Sequence, residues 1–411
     1  MRTKRHRAAL AATVVAATAA MTLTGSAVSA APSAAPSAPH TEPVSVTPDN
    51  KAGNGASSGA VTSRDGRYVA FSSSASDLLP GAPEGGVFVR DLRTGKLRHV
   101  AVGGSPSLSA DGRHLAYTTG TEVRLRDLRT GRTERLDTGI PASYGTGRAD
   151  VALSGNARYA VFTAGGQYDG EEGGSVVFLH DRVTGTTERV SHPKPTWEPR
   201  NAGAPTVSDD GSRVVYDYRY ANGPRGDDWG DVWMLDRGTG ARTQIDRSHD
   251  GSQTQRESLL PSISGDGRTV VFESADTNLV PDDTDGSWNV FVHDVASGAN
   301  QRVHATHGGP ATAYTRAPAV SSDGRYVTFS SRVDEPGSRW GTENPVYLRD
   351  LKTGETVLVT PDTTGGTATA EVAPGGIANG ARRIAFTSPD ATLIEGGDVN
   401  DGYDVLVRHL R

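Results

Sequence analysis

A nine-residue phrase that returns seven times limits the folds open to this chain more than any other feature. Each copy begins with a small residue, continues in most copies through Asp-Gly, and ends on Tyr or Phe. The copies are SRDGRYVAF (63–71), SADGRHLAY (109–117), SGNARYAVF (154–162), SDDGSRVVY (208–216), SGDGRTVVF (264–272), SSDGRYVTF (321–329) and ANGARRIAF (378–386). Their closing aromatic residues lie 46, 45, 54, 56, 57 and 57 residues apart. Such self-similarity is typical of repeat architectures, in which each copy is one supersecondary unit.

Each repeat predicts a small antiparallel sheet. The Asp-Gly step indicates a tight turn, and the alternating Tyr-Val-Ala-Phe pattern that follows predicts a half-buried strand. A second strand-like phrase follows each first phrase and usually ends in a Thr-Gly turn. Its copies are VFVRDLRTG (87–95), VRLRDLRTG (123–131), VFLHDRVTG (177–185), VWMLDRGTG (232–240), VFVHDVASG (290–298), VYLRDLKTG (346–354) and VLVRHLR (405–411). With one strand before and one after, each repeat predicts four strands, A to D.

Seven four-stranded sheets that cannot bury their faces alone predict an all-β chain folded as a single seven-bladed β-propeller. The 50 Gly and 23 Pro among 411 residues suit many short strands and turns. The last repeat ends before its strand D, and EPVSVTPD (42–49) resembles the strand-D segment ETVLVTPD (355–362). We therefore predict that Val44–Thr47 pairs with Asp404–His409 and closes the last blade. The propeller would span residues 44–411, and a closed ring favours a monomer.

The first 43 residues read as a leader and a linker. Four basic residues precede an apolar, Ala-rich run that ends in small residues before position 30, which predicts a secretory signal peptide over 1–30. Residues 31–43 are rich in Ala, Pro and Ser and predict a disordered linker. Cysteine is absent, which excludes disulfides and thiolate metal sites. No later stretch reaches the roughly 20 apolar residues of a membrane span.

Charge disfavours one class of partner. Loss of the leader's four positive charges would change the net charge from −6 to about −10. Because nucleic-acid binding needs a basic surface that attracts phosphates, we do not expect a nucleic-acid partner. The sequence predicts a secreted, extracellular protein.

The two phrases resemble the TolB-like, WD40-like (PD40) β-propeller repeat family, whose signature is S-x-D-G-x-x-hydrophobic-aromatic followed by hydrophobic-x-x-D-x-x-T-G. The resemblance covers about residues 44–411 and implies the propeller fold, while its motif residues are turns and core. Two repeats depart from the first phrase, with Asn156-Ala157 and Gly380-Ala381 in place of Asp-Gly, and His409 replaces the Asp of the second phrase. TolB itself carries a separate N-terminal α/β domain, for which residues 31–43 leave no room. A TolB-type role in the envelope is therefore not expected.

The connections between strands B and C and between strands D and A vary in length and should share one face of the propeller. Long irregular loops on a rigid scaffold are where binding usually resides. Aromatic residues in these loops predict a ligand-binding surface, because aromatic side chains suit protein anchors and sugar faces. The candidates are Trp197, Trp229, Trp288, Trp340 and Tyr403. The alternative is that these side chains only cover the ends of the blades.

The same loops are acidic and suggest a metal ion. The strings DDTDGSWN and DVNDGYD space oxygen-bearing side chains two apart with a Gly for the turn, which resembles the first half of a calcium loop. Neither string continues to the Glu that completes such a loop, so solvated turn residues are the alternative reading. The candidate calcium ligands are Asp283, Asp285, Asp398, Asn400 and Asp404. No other cofactor is predicted.

These features favour a non-catalytic binding or scaffold module for a protein or a cell-envelope glycan. The alternative is a propeller-type polysaccharide lyase or glycosidase with its site at the channel mouth. The D–A loops supply the histidines for that alternative, namely His192, His249, His304 and His307. GASSG (55–59) matches G-x-S-x-G, but no helix follows it, so we predict a loop and no catalytic residue.

Overall fold

The computed structural model describes residues 38–141, 144, 147–168, 171–191, 200–220, 229–252, 254–281, 283, 286–303, 314–332, 344–393 and 402–410. Blade 1 contains β2 (Ser57–Thr62), β3 (Tyr68–Ser73), β4 (Gly86–Asp91) and β5 (Lys96–Ala101). Blade 2 contains β6 (Gly104–Leu108), β7 (His114–Thr118), β8 (Val123–Asp127) and β9 (Thr133–Arg135). Blade 3 contains β10 (Gly147–Leu153), β11 (Tyr159–Tyr168), β12 (Glu171–Asp181) and β13 (Thr186–Arg189).

The next three blades repeat this order. Blade 4 contains β14 (Arg200–Val207), β15 (Arg213–Tyr220), β16 (Trp229–Asp236) and β17 (Arg242–Gln244). Blade 5 contains β18 (Ser258–Ile263), β19 (Thr269–Ser274), β20 (Asn289–Asp294) and β21 (Ala299–Arg302). Blade 6 contains β22 (Tyr314–Val320), β23 (Tyr326–Arg332), β24 (Val346–Asp350) and β25 (Thr356–Leu358). In each of these six sheets the strands pair antiparallel in chain order, which confirms strands A to D and the seven-bladed β-propeller.

Blade 7 joins the two ends of the chain. It contains β26 (Arg383–Ser388) and β27 (Asp404–His409), and β1 (His40–Pro43) pairs antiparallel with β27 as the outer strand. Isolated bridges, Glu371↔Thr387 and Ile377↔Ile384, take the place of a regular strand A. Two short 3₁₀ turns, Asn379–Ala381 and Ala391–Leu393, flank β26. None of the helical segments in the described part of the chain has the length and hydrophobicity of a membrane-spanning helix.

Closure by the N-terminal strand is confirmed, but two details of the prediction are wrong: the strand begins four residues earlier, and its register differs by two residues. The paired strand is His40–Pro43, not Val44–Thr47, and it opposes Leu406–His409. Val44 donates its amide to the Val405 carbonyl at 2.8 Å, as Val359 does to Val346 in blade 6, so Val44 is the counterpart of Val359. The letter match had aligned Val46 with Val359. A shift of two residues keeps every side chain on its own face, and the alternating pattern cannot distinguish the two registers.

The first phrase builds the A–B turn through one serine. In blade 1 the Ser63 hydroxyl donates to the Asp65 carboxylate at 2.6 Å and accepts the Tyr68 amide at 3.0 Å. The residue at the Gly position has a left-handed backbone, which is why Gly prevails there. The two departures keep this backbone, since Ala157 and Ala381 have φ of 58° and 50°.

The second phrase supplies an Asp that pairs with an Arg from the first phrase. Arg67 donates from Nε and Nη2 to the two carboxylate oxygens of Asp91 at 3.0 and 2.6 Å. These hydrogen bonds lower the pKa of Asp91 to about 2. The same Arg–Asp pair recurs in blades 2, 3 and 6 as Arg113–Asp127, Arg158–Asp181 and Arg325–Asp350.

The closing aromatic residues of the first phrase fill the space between blades, as predicted. All seven are at most 3% exposed, and most stack on an aromatic residue of strand C in their own blade. Phe71 stacks on Phe88 with ring centroids 5.7 Å apart, and Phe272 on Phe291 at the same distance. Because directly opposite residues of paired strands lie on one face of the sheet, each stacked pair is buried on the same face of its blade.

Candidate ligand-binding site at the channel mouth

A β-bulge in strand A shapes the mouth of the central channel. In blades 1 to 6 the register shifts within strand A, and one residue there has a left-handed backbone. Only blade 1 uses Gly; the six residues are Gly59, Ser105, Asp150, Ala204, Leu260 and Ala317. Five side chains other than Gly held at positive φ indicate strain maintained by the surrounding structure, which is frequent at functional sites.

Carboxylates from the preceding blade hold two of these bulges. The Asp217 side chain accepts the Leu260 amide at 3.3 Å, and the Glu273 side chain accepts the Ala317 amide at 2.9 Å. Both carboxylates lie in strand B and are at most 1% exposed. Burial raises the pKa of Asp217. Charged groups from strand B therefore fix backbone at the channel mouth.

A cavity of about 130 Å³ lies at the opposite end of the channel, where the A–B turns meet, and Arg64 of blade 1 forms an ion pair with Asp209 of blade 4 among its lining residues. Asp209 also accepts the Ser322 hydroxyl at 3.0 Å. Between the bulges lies a larger cavity of about 260 Å³, with prolines from five blades in its wall. The two cavities are adjacent, because they share lining residues that include Val61 and Thr206.

A side pocket of about 420 Å³ opens beside this mouth, between blades 5, 6 and 7. It shares Leu260, Ala317 and Glu371 with the mouth cavity. Its wall combines charged, hydroxyl, amide and aromatic side chains, namely Glu273, Tyr314, Arg316, Ser330, Asn344, Thr369, Glu371 and Tyr403. A concave site of this size with several convergent polar groups is the usual form of a small-ligand subsite.

Arg316 organises the polar wall of the pocket. Its guanidinium donates to Glu273 Oε1 from Nη2 at 2.7 Å, and Nη1 donates to the Tyr314 hydroxyl at 3.2 Å. Its ζ-carbon lies 4.8 Å from the centre of the Trp288 ring, which is a cation–π contact. The Glu273 side chain is fully buried, whereas that of Arg316 is 41% exposed. Arg316 therefore presents one surface to solvent, while its contacts with Glu273, Tyr314 and Trp288 fix the plane of the guanidinium.

The two carboxylates of the pocket have different environments. Glu273 is paired with Arg316, and its hydrogen bonds and charge raise the pKa of that guanidinium. Glu371 lies in the pocket wall, where desolvation raises its pKa and the negative charge of Glu273 adds to the effect, against an opposing contribution from Arg316. A carboxylate paired with a guanidinium thus shares a pocket with Glu371, whose raised pKa makes it more readily protonated.

One of the predicted aromatic residues, Tyr403, lines this pocket with 53% of its surface exposed. Trp288 is half-buried and contacts the pocket residue Arg316 through its ring, but it does not line the pocket itself. Trp229 begins β16, paired with Tyr220, on the same loop face. Trp197 and Trp340 lie outside the described residues.

The described members of the predicted calcium set make structural contacts. Asp283 is buried and forms an ion pair with Arg302 at 3.2 Å. Asp404 is buried and accepts the Ser45 hydroxyl at 2.7 Å. Asp285, Asp398 and Asn400 lie outside the described residues, so the calcium prediction stays a prediction.

Two further sequence features have a place in the structure. Ser57 of GASSG starts β2, and its buried hydroxyl donates to Ser73 at 2.9 Å. His249 is exposed and contacts the Asn278 carbonyl at 2.9 Å through Nδ1. The other three D–A histidines, His192, His304 and His307, lie outside the described residues.

The repeat pattern gave no indication of Glu273, Arg316 and Glu371, because residues within or beside the repeat strands are expected to belong to the core and the turns. One signal was available. Proline follows the left-handed residue in four blades, at Pro106, Pro205, Pro261 and Pro318, and proline inside a strand is typical of a bulge. Two charged residues, Asp217 and Glu273, directly follow the closing aromatic residue of the first phrase in strand B, and they hold two of these bulges.

Neither a protein-family model nor a curated protein sequence matches this chain. Solved structures do. The β-propeller domain of the Trilobed protease from Pyrococcus furiosus is 11% identical over 87% of this chain and 95% of that domain, with a TM-score of 0.55. Acylaminoacyl peptidase from Pyrococcus horikoshii is 12% identical over 82% of this chain and 49% of its own length, with a TM-score of 0.53. This chain therefore spans about half the length of that peptidase.

A protein described as a TolB from Agrobacterium tumefaciens is 19% identical over 78% of this chain and 96% of its own, with a TM-score of 0.43. At identities of 11% and 12%, the two likenesses with TM-scores of 0.55 and 0.53 establish the β-propeller fold alone.

Proposed function

We propose that this protein is an exported, non-catalytic binding module that holds a cell-envelope glycan in the side pocket between blades 5, 6 and 7. One observation carries the proposal. Arg316 is fixed by Glu273, Tyr314 and Trp288 so that a rigid planar donor faces a concave pocket with an exposed Tyr403 in its wall.

The chemistry of the wall favours a sugar. Pyranose rings present hydroxyl groups along their edges and apolar C–H faces, so they need planar hydrogen-bonding groups together with an aromatic surface. The planar hydrogen-bonding groups of the wall are those of Arg316, Glu371 and Asn344, and the aromatic surface is that of Tyr403. A preorganised pocket loses little side-chain entropy on binding. Export rests on the predicted signal peptide over 1–30.

Sedimentation with purified cell wall and with soluble polysaccharides tests the proposal. We expect Tyr403→Ala to weaken glycan binding at least tenfold, which corresponds to about 1.4 kcal/mol. Val183→Ala is the matched control, because Val183 is 73% exposed and lies in a C–D turn at the opposite edge of its blade. Both side chains are exposed, so thermal melts should match the unmodified protein.

Two outcomes would revise the proposal. Unchanged binding by both Tyr403→Ala and Asn344→Ala would show that the glycan does not use this pocket. Capture of one protein in stoichiometric amount, with no retention on wall material, would make the partner a protein.

A second candidate function, glycoside hydrolysis, has one observation in its favour. Glycosidases pair a protonated carboxylic acid with an ionised carboxylate, and Glu371 with its raised pKa lies in one pocket with the Arg-paired Glu273. Turnover of a polysaccharide by the unmodified protein, lost in Glu371→Gln while sedimentation persists, would establish this function. Binding without turnover across neutral and acidic polysaccharides would exclude it for those substrates.

A further inference from the structure

The seam of blade 7 is the place where β1 (His40–Pro43) pairs with β27 (Asp404–His409), and its side chains differ from those of the other blades. In blades 1, 2, 3 and 6 the strand-C Asp receives two hydrogen bonds from the Arg that directly precedes strand B. In blade 7 the residue at this position of the first phrase is Arg382, the next position, Tyr68 in blade 1, is Arg383, and His409 replaces the Asp. Arg383 Nε lies 3.3 Å from His409 Nδ1. Strand C of this blade has therefore exchanged a carboxylate for an imidazole.

The closing strand brings two more donor side chains to His409. His40 lies directly opposite His409 in the β1–β27 register, and Glu42 follows two residues later on the same face. Glu42 Oε2 lies 2.9 Å from His409 Nε2, and the two imidazole rings stack with centroids 4.4 Å apart. One ligand atom from each of the three side chains lies within 4.8 Å of the other two.

We propose that His40, Glu42 and His409 bind a divalent transition metal ion of the zinc class and thereby lock the ring at its seam. Two imidazole nitrogens and one carboxylate oxygen are a ligand set that zinc accepts, with water in the fourth tetrahedral position. This inference does not depend on the proposed glycan function, because the seam lies on the outer strands of blade 7, away from the pocket residues.

The first of these ligands is already oriented. His40 Nδ1 lies 3.1 Å from the Ala38 carbonyl, so this nitrogen carries the proton and Nε2 keeps its lone pair. A hydrogen bond from the second ring nitrogen to a backbone carbonyl is the usual support of a metal-bound histidine.

The second imidazole must change its tautomer to bind the metal. Arg383 donates to His409 Nδ1, which places the single ring proton of His409 on Nε2, between this nitrogen and Glu42. A metal ion that binds Nε2 requires this proton to move to Nδ1, and the ring stays neutral with no net release of a proton. Arg383 opposes that arrangement through its charge and its N–H. Replacement of Arg383 by Gln, whose carbonyl oxygen accepts a hydrogen bond, should therefore tighten metal binding.

Metal binding at this place would act on the whole ring. Glu42 and His409 are 367 residues apart in the sequence, so the complete ligand set exists only when the ring is closed. An ion that binds the folded state and not the unfolded chain stabilises folding by mass action. At a free zinc concentration a hundredfold above Kd, we expect the melting temperature to rise by about 3 °C.

The test uses untagged protein, because a histidine tag would bind the same ions. Zn²⁺ titration by calorimetry should saturate at one ion per chain, and EDTA should reverse the rise in melting temperature. Co²⁺ should give the visible absorption bands of a tetrahedral site, a signal that a purely structural His–Glu contact cannot produce.

Four variants separate the ligands from their surroundings. We expect His40→Gln and Glu42→Gln to weaken Zn²⁺ binding more than tenfold, Arg383→Gln to strengthen it, and His249→Ala to leave it unchanged. His40 is exposed, so His40→Gln should remain folded even where other seam variants do not. Absence of saturable Zn²⁺ binding, or equal binding by His40→Gln and the unmodified protein, would overturn the proposal.

Discussion

Two aspartates at one repeat position should respond to pH in opposite directions. Asp137 of blade 2 and Asp246 of blade 4 each follow the last residues of strand D, and both side chains are buried. Asp137 receives hydrogen bonds from Arg135 at 2.7 Å and from Arg148 at 2.9 Å. For Asp246, no cationic side chain among the described residues forms an ion pair, although its Oδ1 accepts the Val232 amide at 3.2 Å.

Burial raises the pKa of Asp246 to about 8, and the negative charge of Asp231 adds to the effect. In the unfolded chain the same carboxyl titrates near 3.8. Because the folded-state pKa is the higher one, the stability that Asp246 contributes is complete below pH 3.8 and is lost as the pH rises toward 8. Each pH unit in this window costs about 1.4 kcal/mol, so at pH 7 the loss reaches about 4 kcal/mol.

Asp246→Asn removes the titration and keeps an oxygen for the Val232 amide. We expect the variant to match the unmodified protein near pH 4 and to exceed its free energy of unfolding by up to about 4 kcal/mol at pH 7. The measurement is urea-induced unfolding followed by tryptophan fluorescence at pH values from 4 to 9.

Asp137→Asn is the matched control. Burial raises the pKa of Asp137, but the hydrogen bonds and charges of Arg135 and Arg148 outweigh it and hold that pKa below its usual value. This carboxylate therefore stabilises the fold above its unfolded pKa, and that stability is lost as the pH falls. Asp137→Asn should destabilise the protein by about 3 kcal/mol at pH 7, since it removes the carboxylate that pairs with the buried Arg148 at 2.9 Å. If both variants lower stability at pH 7, or if Asp246→Asn is neutral at every pH, the burial argument for Asp246 is wrong.

Two other predictions concern ring closure and backbone geometry. Deletion of residues 40–48 should lower the melting temperature sharply, whereas deletion of 31–37 should not; an unchanged melt of the first variant would contradict closure by the N-terminal strand. Gly211→Ala should lower the free energy of unfolding by at least about 3 kcal/mol, because the added Cβ would overlap the Tyr159 ring. Gly240 has the same φ of 74° but open space around it, so Gly240→Ala should lower this free energy by about 1 kcal/mol. Equal losses for the two glycine variants would refute the packing argument.

The repeated phrases were sufficient to predict the blades. A period-2 strand ending in Phe71 or Phe272 has one favourable partner surface, and the Asp-Gly and Thr-Gly turns fix the hairpins by local backbone geometry. The repeat that lacks Asp-Gly still forms the same turn, since Ala157 takes the left-handed backbone of the Gly that it replaces. The register of the closing strand was not predictable, because an even shift preserves the pattern.

The candidate site depended on contacts that no local pattern encodes. Arg316 lies 43 residues from Glu273 in the sequence, and its partner sits in the neighbouring blade. The seam is a stronger case, because Glu42 and His409 meet only after all seven blades have closed. Sequence by itself determined the all-β repeat, the number of blades and their cores, since these follow from turn chemistry and hydrophobic alternation within about 50 residues. Only the tertiary structure decided the pocket and the cluster of His40, Glu42 and His409, because the pocket joins side chains from three blades and the cluster joins the two ends of the chain.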